Sequence, residues 1–178
     1  KRPSSELKMH LRVYQENSAV GAVTHAHPPI ATAFAVAGIP LDQAILTEAV
    51  VNLGVIPVAA YATPGTEEVP ESIAPFCLDY HGVLLANHGA LTWGEDLLQA
   101  FYRLESLEMV AKTTLLADFL PQKRLLSAEQ VQTLVKSRKN FGIHGGGNPQ
   151  TGAQAKNLQP VWGRQGKQEA EANNDRET

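Results

Sequence analysis

The sequence predicts a single α/β domain, and three observations carry that prediction. Two short runs, Ala19–Thr24 and Gly82–Ala86, are rich in small and β-branched or apolar residues, as buried strands are. Leu97, Phe101, Leu104, Leu107, Ala111 and Leu115 recur at spacings of four or three, one apolar stripe of helical period. Helix-start signals alternate with the strand-like runs. At 178 residues and 43% hydrophobic content, the chain is long enough for one domain with a real core.

Pro3-Ser4-Ser5-Glu6 reads as a helix start, with serine caps and an early carboxylate that complements the helix dipole, and predicts a helix from about Ser5 to Glu16. The strand at 19–24 follows and carries His25, and His27 beyond it, at its end, because Pro28-Pro29 breaks a sheet ladder. Pro29 then opens an apolar helix over Ile30–Ala37 that Gly38 stops. Leu46–Ala60 holds a further short strand or two, with helix and strand both open. Pro64-Gly65-Thr66 is a turn into a helix whose first turn holds Glu67 and Glu68. Gly82–Ala86 is the clearest strand; Asn87-His88-Gly89 ends it, with Ala90–Trp93 as a strand beyond the turn. Gly94-Glu95-Asp96 opens the longest helix, and Ser127-Ala128-Glu129-Gln130 is a capping box for a last helix to about Lys139.

From His144 the composition turns to Gln, Asn, Gly and charge. The prediction is a domain over 1–143 and a flexible or disordered tail over 144–178, because such a tail buries too little apolar surface to offset its ordering entropy. Gly142–Gly147 resembles a phosphate loop only superficially: it lacks the Gly-Lys-Ser/Thr ending and no strand precedes it, so it reads as a flexible linker.

A formal net charge of −3, with scattered basic residues, argues against nucleic acid as a partner. No apolar run is long enough for a bilayer, and Lys1-Arg2-Pro3 does not lead into a signal peptide. The single cysteine, Cys77, forms no internal disulfide and suits a cytoplasmic location as a small buried residue. Lacking an initial methionine, the sequence is expected to begin in mid-protein.

Chemistry concentrates in a few residues. In an extended chain residues two apart point to the same side, so His25 and His27 can face one metal ion. Alone, that pair reads as two ordinary histidines at a strand end. His88, at the end of the second strand, supplies the support. Three neutral imidazoles at strand ends leave a fourth zinc position open for water or substrate, the pattern of a catalytic site. Ser4-Ser5-Glu6 is read as an ordinary helix cap or, by the same geometry, as an anion site with a carboxylate able to move a proton. His10, His81 and His144 have no partner pattern, and Trp93 reads as packing.

Pro-Ser-Ser-Glu at 3–6, His-Ala-His-Pro at 25–28, Tyr-Ala-Thr-Pro-Gly-Thr at 61–66 and Asn-His-Gly at 87–89 occur in the order found in class II aldolases. Over residues 3 to 120 the chain resembles the class II aldolase and adducin N-terminal family, which includes the fuculose- and rhamnulose-phosphate aldolases. The resemblance implies a three-layer α/β domain: a mixed, largely antiparallel central sheet flanked by helices. It implies that His25, His27 and His88 bind Zn2+, or another divalent metal such as Co2+ or Mn2+. Glu6 is implied as the catalytic acid/base, and Ser4 and Ser5 as the residues that bind substrate phosphate. A homotetramer is also implied.

The implied reaction is a zinc-dependent aldol cleavage or formation in a ketose phosphate or related hydroxy-carbonyl compound, through an enediolate. Alternatives on the same fold are a pentulose-phosphate 4-epimerase, a dehydratase, a decarboxylase, or a non-catalytic, adducin-like assembly domain. Two departures from the family pattern stand out. Its N-terminal portion, with a glycine- and asparagine-containing loop that completes the phosphate site, is missing from this sequence. The tyrosine that follows the His-x-His helix has no counterpart in Leu41-Asp42-Gln43-Ala44.

Overall fold

The computed structural model describes residues 3–151. In chain order the elements are α1 (Leu7–Glu16), β1 (Ala22–Ala26), α2 (Pro29–Ala37), a π-helical turn (Ala49–Leu53), β2 (Val58–Ala59), α3 (Glu68–Ile73) with a 3-10 turn after it, β3 (Gly82–Leu85), β4 (Gly89–Gly94), α4 (Leu97–Asp118), α5 (Ala128–Ser137) and a 3-10 turn at Arg138–Phe141. The strands form a four-stranded mixed sheet in the order β1-β4-β3-β2. β4 is antiparallel to both β1 and β3, and the short β2 runs parallel to β3. The predicted α/β class and mixed sheet are both present.

Alternation along the strands divides the core into two layers. Val23, Val83, Leu85, Leu91 and Trp93 pack with Met9 and Val13 of α1 and Val69 and Ile73 of α3. On the other face, Leu84 and Ala90 pack with Ala31, Phe34 and Ala35 of α2 and with Leu104, Leu107, Val110 and Ala111 of α4. Helices therefore cover both faces, and Cys77 is fully buried in the first layer. Burial pushes its thiol up to about 11, which leaves it inert at neutral pH.

Local chemistry accounts for most boundaries. Pro29 sits in the first turn of α2, and Gly38 ends that helix in the left-handed conformation at φ 66°. Asp96 caps α4 by accepting from the Gln99 amide, and the Ser127–Gln130 capping box closes reciprocally at the start of α5. The ambiguous 46–60 segment contains both states, the π-helical turn and then β2.

Several expectations need correction. The first helix starts at Leu7, with Glu6 at the cap position and no side-chain cap; Ser4 Oγ instead accepts the Glu6 amide at 3.3 Å. In α4, Leu97 is 64% and Phe101 45% exposed, so the stripe is out of phase at its beginning. Ala100 takes the inward position there. Its carbonyl accepts from Thr92 Oγ1 at 2.9 Å and Thr24 Oγ1 at 3.1 Å, and a Cβ on Gly94 would stand 2.9 Å from its amide. Only a small residue permits so close an approach of helix to sheet.

The glycine segment expected to be a flexible linker is packed among the described residues. Gly145, Gly146 and Gly147 all adopt positive φ, and the Val55 amide donates to the Gly146 carbonyl at 2.7 Å. Arg138, buried, donates to the carbonyls of Val50, Gly145 and Gly147. Gln150 forms a β-bridge with Gln43. The rest of the expected tail, 152–178, lies outside the described residues.

His81, which had no partner pattern in the sequence, is 5% exposed, with Nδ1 3.1 Å from the Leu53 carbonyl and Nε2 2.6 Å from that of His144. Burial pushes its pKa down to about 4, and Arg103 and Arg138 add to the push against the two carbonyls. The unfolded chain therefore takes up this proton first as pH falls. His81 stabilises the fold fully above its ordinary 6.5, and that contribution is lost between there and about 4. Urea titrations of wild type and His81→Gln across this window check the effect. The wild type is expected to lose more stability than the variant, by on the order of 3 kcal/mol at most.

Candidate metal centre

β1 carries His25 on the face shared with Val23, toward α1. His25 pairs with Leu91 of β4, and the next residue, Ala26, pairs with Ala90. His27 follows the strand end and precedes Pro28-Pro29. His88 comes from the β3–β4 hairpin, where its amide donates to the Leu85 carbonyl at 2.9 Å. Asn87 holds φ 58°, the left-handed conformation that asparagine tolerates better than most residues. The motif Asn-His-Gly is thus a tight turn that projects its central histidine.

Gly89 then permits contact with β1. A Cβ there would lie 2.5 Å from His27 Cδ2 and 2.7 Å from the Ala26 carbonyl oxygen. The three rings converge, with every pair of centroids 4.9 Å apart. Their ligand nitrogens all lie within 4.8 Å of one another, and His25 Nε2 stands 3.2 Å from His27 Nε2. Two nitrogens on a tetrahedral zinc ion stand about 3.3 Å apart, given Zn–N distances of about 2.0–2.1 Å.

Second contacts orient the rings. His25 Nδ1 lies 2.9 Å from the Ala90 carbonyl; donation there places the proton on Nδ1 and leaves the Nε2 lone pair facing the other histidines. Burial lowers the His25 pKa, and the neighbouring His88 and His27 lower it further, against the Ala90 carbonyl and the charge of Glu6. A neutral ring is the form a metal needs. His25 and His88 are half-buried and His27 is exposed, so the cluster faces solvent on one side. The donor set therefore fits a divalent cation: three imidazoles whose ligand nitrogens lie within 4.8 Å of one another, one of them fixed in tautomer.

The start of α1 lies on the same face of the sheet. Glu6 is near enough to His25 for its charge to act on the imidazole. Ser4 and Ser5 are exposed ahead of the helix, and the Cβ of Ser5 would lie 3.8 Å from a Cβ on Gly65. The Tyr61–Thr66 motif is thereby brought to the Ser-Ser-Glu motif, and Lys8 pairs with Glu67 at 2.5 Å. In place of the family tyrosine, Leu41 and Ala44 are buried in the domain. A cavity of about 420 Å³ beside Asn52, Gln99, Tyr102 and Arg103 includes none of the three histidines.

The family model for the class II aldolase and adducin N-terminal domain matches residues 1–115. The chain belongs to that family. Among curated relatives, a 5-deoxy-D-ribulose 1-phosphate aldolase of Bacillus thuringiensis serovar kurstaki is 29% identical over 144 residues, 80% of this chain and 66% of the relative. A 3-oxo-tetronate 4-phosphate decarboxylase of Escherichia coli O6:H1 is 31% identical over 72% of this chain and 62% of its own length. An L-fuculose 1-phosphate aldolase structure superposes with a TM-score of 0.72 at 35% identity, covering 80% of this chain and 66% of that one. The chain thus spans between 60% and 66% of the first curated relatives it matches.

Sequence reasoning missed Glu108 of α4, whose carboxylate accepts the amides of Ile30 and Ala31 just after the His25–His27 segment. The double proline signalled a helix start without a capping residue, but nothing in the sequence pointed to the partner.

The Gly89 contact gives a direct test. Gly89→Ala must move His27 or part β1 from β4, and zinc affinity by chelator competition is expected to fall on the order of 10–100-fold. Full affinity in that variant would mean that the close approach has no part in placing His27.

Proposed function

We propose that this chain carries the metal-binding core of an enzyme that cleaves or forms a carbon–carbon bond in a sugar phosphate or related hydroxy-carbonyl compound. The convergence of His25, His27 and His88 is the observation that supports it most. These three side chains would hold the cation, Zn2+ in preference to Co2+ or Mn2+. Bound there, a divalent cation supplies Lewis-acid polarisation of a carbonyl and charge stabilisation for an enediolate.

The chain's own residues supply the rest. The hydroxyls of Ser4 and Ser5, at the N-terminal end of α1, offer hydrogen bonds to a phosphate, and the helix adds a partial positive charge there. Glu6, at the cap position, takes the proton from the substrate hydroxyl as the carbon–carbon bond breaks and the aldehyde leaves. The electron pair left on the second fragment forms the enediolate, and protonation at carbon releases the ketone. In the condensing direction Glu6 removes that carbon-bound proton.

A decarboxylase reading has its own support, the 31% identity to the 3-oxo-tetronate 4-phosphate decarboxylase. Loss of carbon dioxide from a 3-oxo acid leaves an electron pair at the same position as loss of an aldehyde does. An epimerase, a dehydratase and an adducin-like assembly role remain the other readings of the family. A scaffold has no physical need for the three histidines together with Glu6.

Purified protein is expected to hold about one divalent ion per chain by elemental analysis, and His25→Ala and His88→Ala to lose it; an empty wild type would remove the enzyme readings. Glu6→Gln is expected to keep the metal and to lose solvent deuterium exchange into dihydroxyacetone phosphate by on the order of 10²–10⁴-fold. Exchange at the wild-type rate would take Glu6 out of the base role. Release of carbon dioxide, and not of an aldehyde, from matched substrates would select the decarboxylase.

A further inference from the structure

The start of α2 is notable for what it lacks. Pro28 occupies the cap position and Pro29 the first turn, so no local side chain accepts the free amides there. A helix leaves its first N–H groups without internal partners, and two prolines remove only their own. The Ile30 amide donates to Glu108 Oε1 at 3.0 Å and the Ala31 amide to Oε2 at 2.7 Å. The Thr32 amide returns to the Pro28 carbonyl at 2.8 Å. Every amide of this first turn is therefore satisfied, two of them by one half-buried carboxylate from the middle of α4.

This clamp lies three residues beyond His27. Pro28 and Pro29 have φ fixed near −65° by their rings, so few free torsions separate the clamped amides from the His27 backbone. On its other side, His27 rests against Gly89 with no room for a Cβ. Apart from that contact the His27 ring is exposed, with little other packing to fix it. Its position therefore depends on the Gly89 contact on one side and on the clamped backbone on the other. Electrostatics acts in the same direction. A helix N-terminus carries roughly half a positive charge, which a nearby dication would oppose, and the Glu108 carboxylate offsets it.

We propose that Glu108 is a positioning residue for the three-histidine site: by clamping the start of α2 it fixes His27 and sets metal affinity without touching the metal. This rests on the reading of His25, His27 and His88 as metal ligands. It adds a part of α4 that none of the family-like motifs includes.

Zinc affinity of the apo protein, by chelator competition, tests this in wild type, Glu108→Gln, Glu108→Ala and Leu104→Ala. Leu104 lies on α4 in the same buried layer and makes no clamp, so its variant reports general loosening of the helix. Each protein is first confirmed folded by circular dichroism at the assay temperature. Affinity is expected to fall on the order of 10–100-fold in Glu108→Ala and less in Glu108→Gln, which keeps one acceptor oxygen. It is expected to stay at the wild-type value in Leu104→Ala, although that variant melts earlier. The visible absorption of the cobalt-loaded protein should change in Glu108→Ala, reporting altered ligand geometry. Wild-type affinity in Glu108→Ala overturns the proposal, as does an equal loss in Leu104→Ala. Failure of the wild type to bind zinc at all overturns the metal reading itself, and this inference with it.

Discussion

The register between β1 and β4 is the constraint on which the rest of the candidate site depends. Ala22 pairs with Gly94 and Ala26 with Ala90, so His25 stands opposite Leu91 on the face toward α1. A slip of one residue would turn His25 to the α4 face and Thr24 toward α1. Two features oppose that slip. Thr24 and Thr92, paired across the strands, both reach the Ala100 carbonyl of α4, with their hydroxyls 2.8 Å apart. At the two ends of the pairing, Gly21 and Gly89 allow backbone approaches that any side chain would block. The register is thus fixed by hydrogen bonds on one face and by the absence of Cβ atoms at both ends.

Buried polar groups away from the histidines act on a different part of the chain. Arg138 has no carboxylate partner within salt-bridge distance among the described residues, and it satisfies carbonyls from the π-helical turn and from the glycine segment. The His81 ring lies between the same two segments, and its neutral form donates to one of the Leu53 and His144 carbonyls. Burial lowers the pKa of both groups. Such groups are costly to bury and costlier to leave unpaired, so they favour one arrangement of the segments they join. Gly54 adds a steric requirement, since a Cβ there would fall 1.8 Å from the Gly146 carbonyl oxygen. The closure of the domain after α5 is in this sense a polar construction.

Local signals made much of this legible in the sequence. Pro29 and Gly38 bracket α2, the capping box marks α5, and the Asn87-His88-Gly89 turn separates two strands, all within a few residues of expectation. These features depend on neighbours in the chain. What escaped depends on partners far away. The outward turn of Leu97 and Phe101 follows from how closely Ala100 sits on the sheet, which periodicity alone does not specify. The packing of Gly145–Gly147 depends on Arg138, Gly54 and His81, and composition made the same residues look loose. Glu108 had the form of an ordinary surface glutamate on a long helix; its role comes from two amides 77 and 78 positions earlier. The three histidines were legible as residues, but their convergence needed the β1–β4 pairing.

The proposed chemistry has a physical reason to be shared among several reactions. Three neutral imidazoles leave the charge of a divalent cation undiminished, which suits an oxyanion more than a neutral ligand. An enediolate formed by losing an aldehyde and one formed by losing carbon dioxide place the same negative charge in the same position. The histidines therefore do not discriminate between those leaving groups. Discrimination has to come from groups that meet the departing fragment: a proton acceptor for a hydroxyl in one case, an apolar or cationic surface for a carboxylate in the other. Glu6 is a carboxylate beside His25, and its negative charge would repel a substrate carboxylate while accepting a hydroxyl proton. In the proposed role, the acidic group at the start of α1 would favour an aldehyde over carbon dioxide as the leaving fragment.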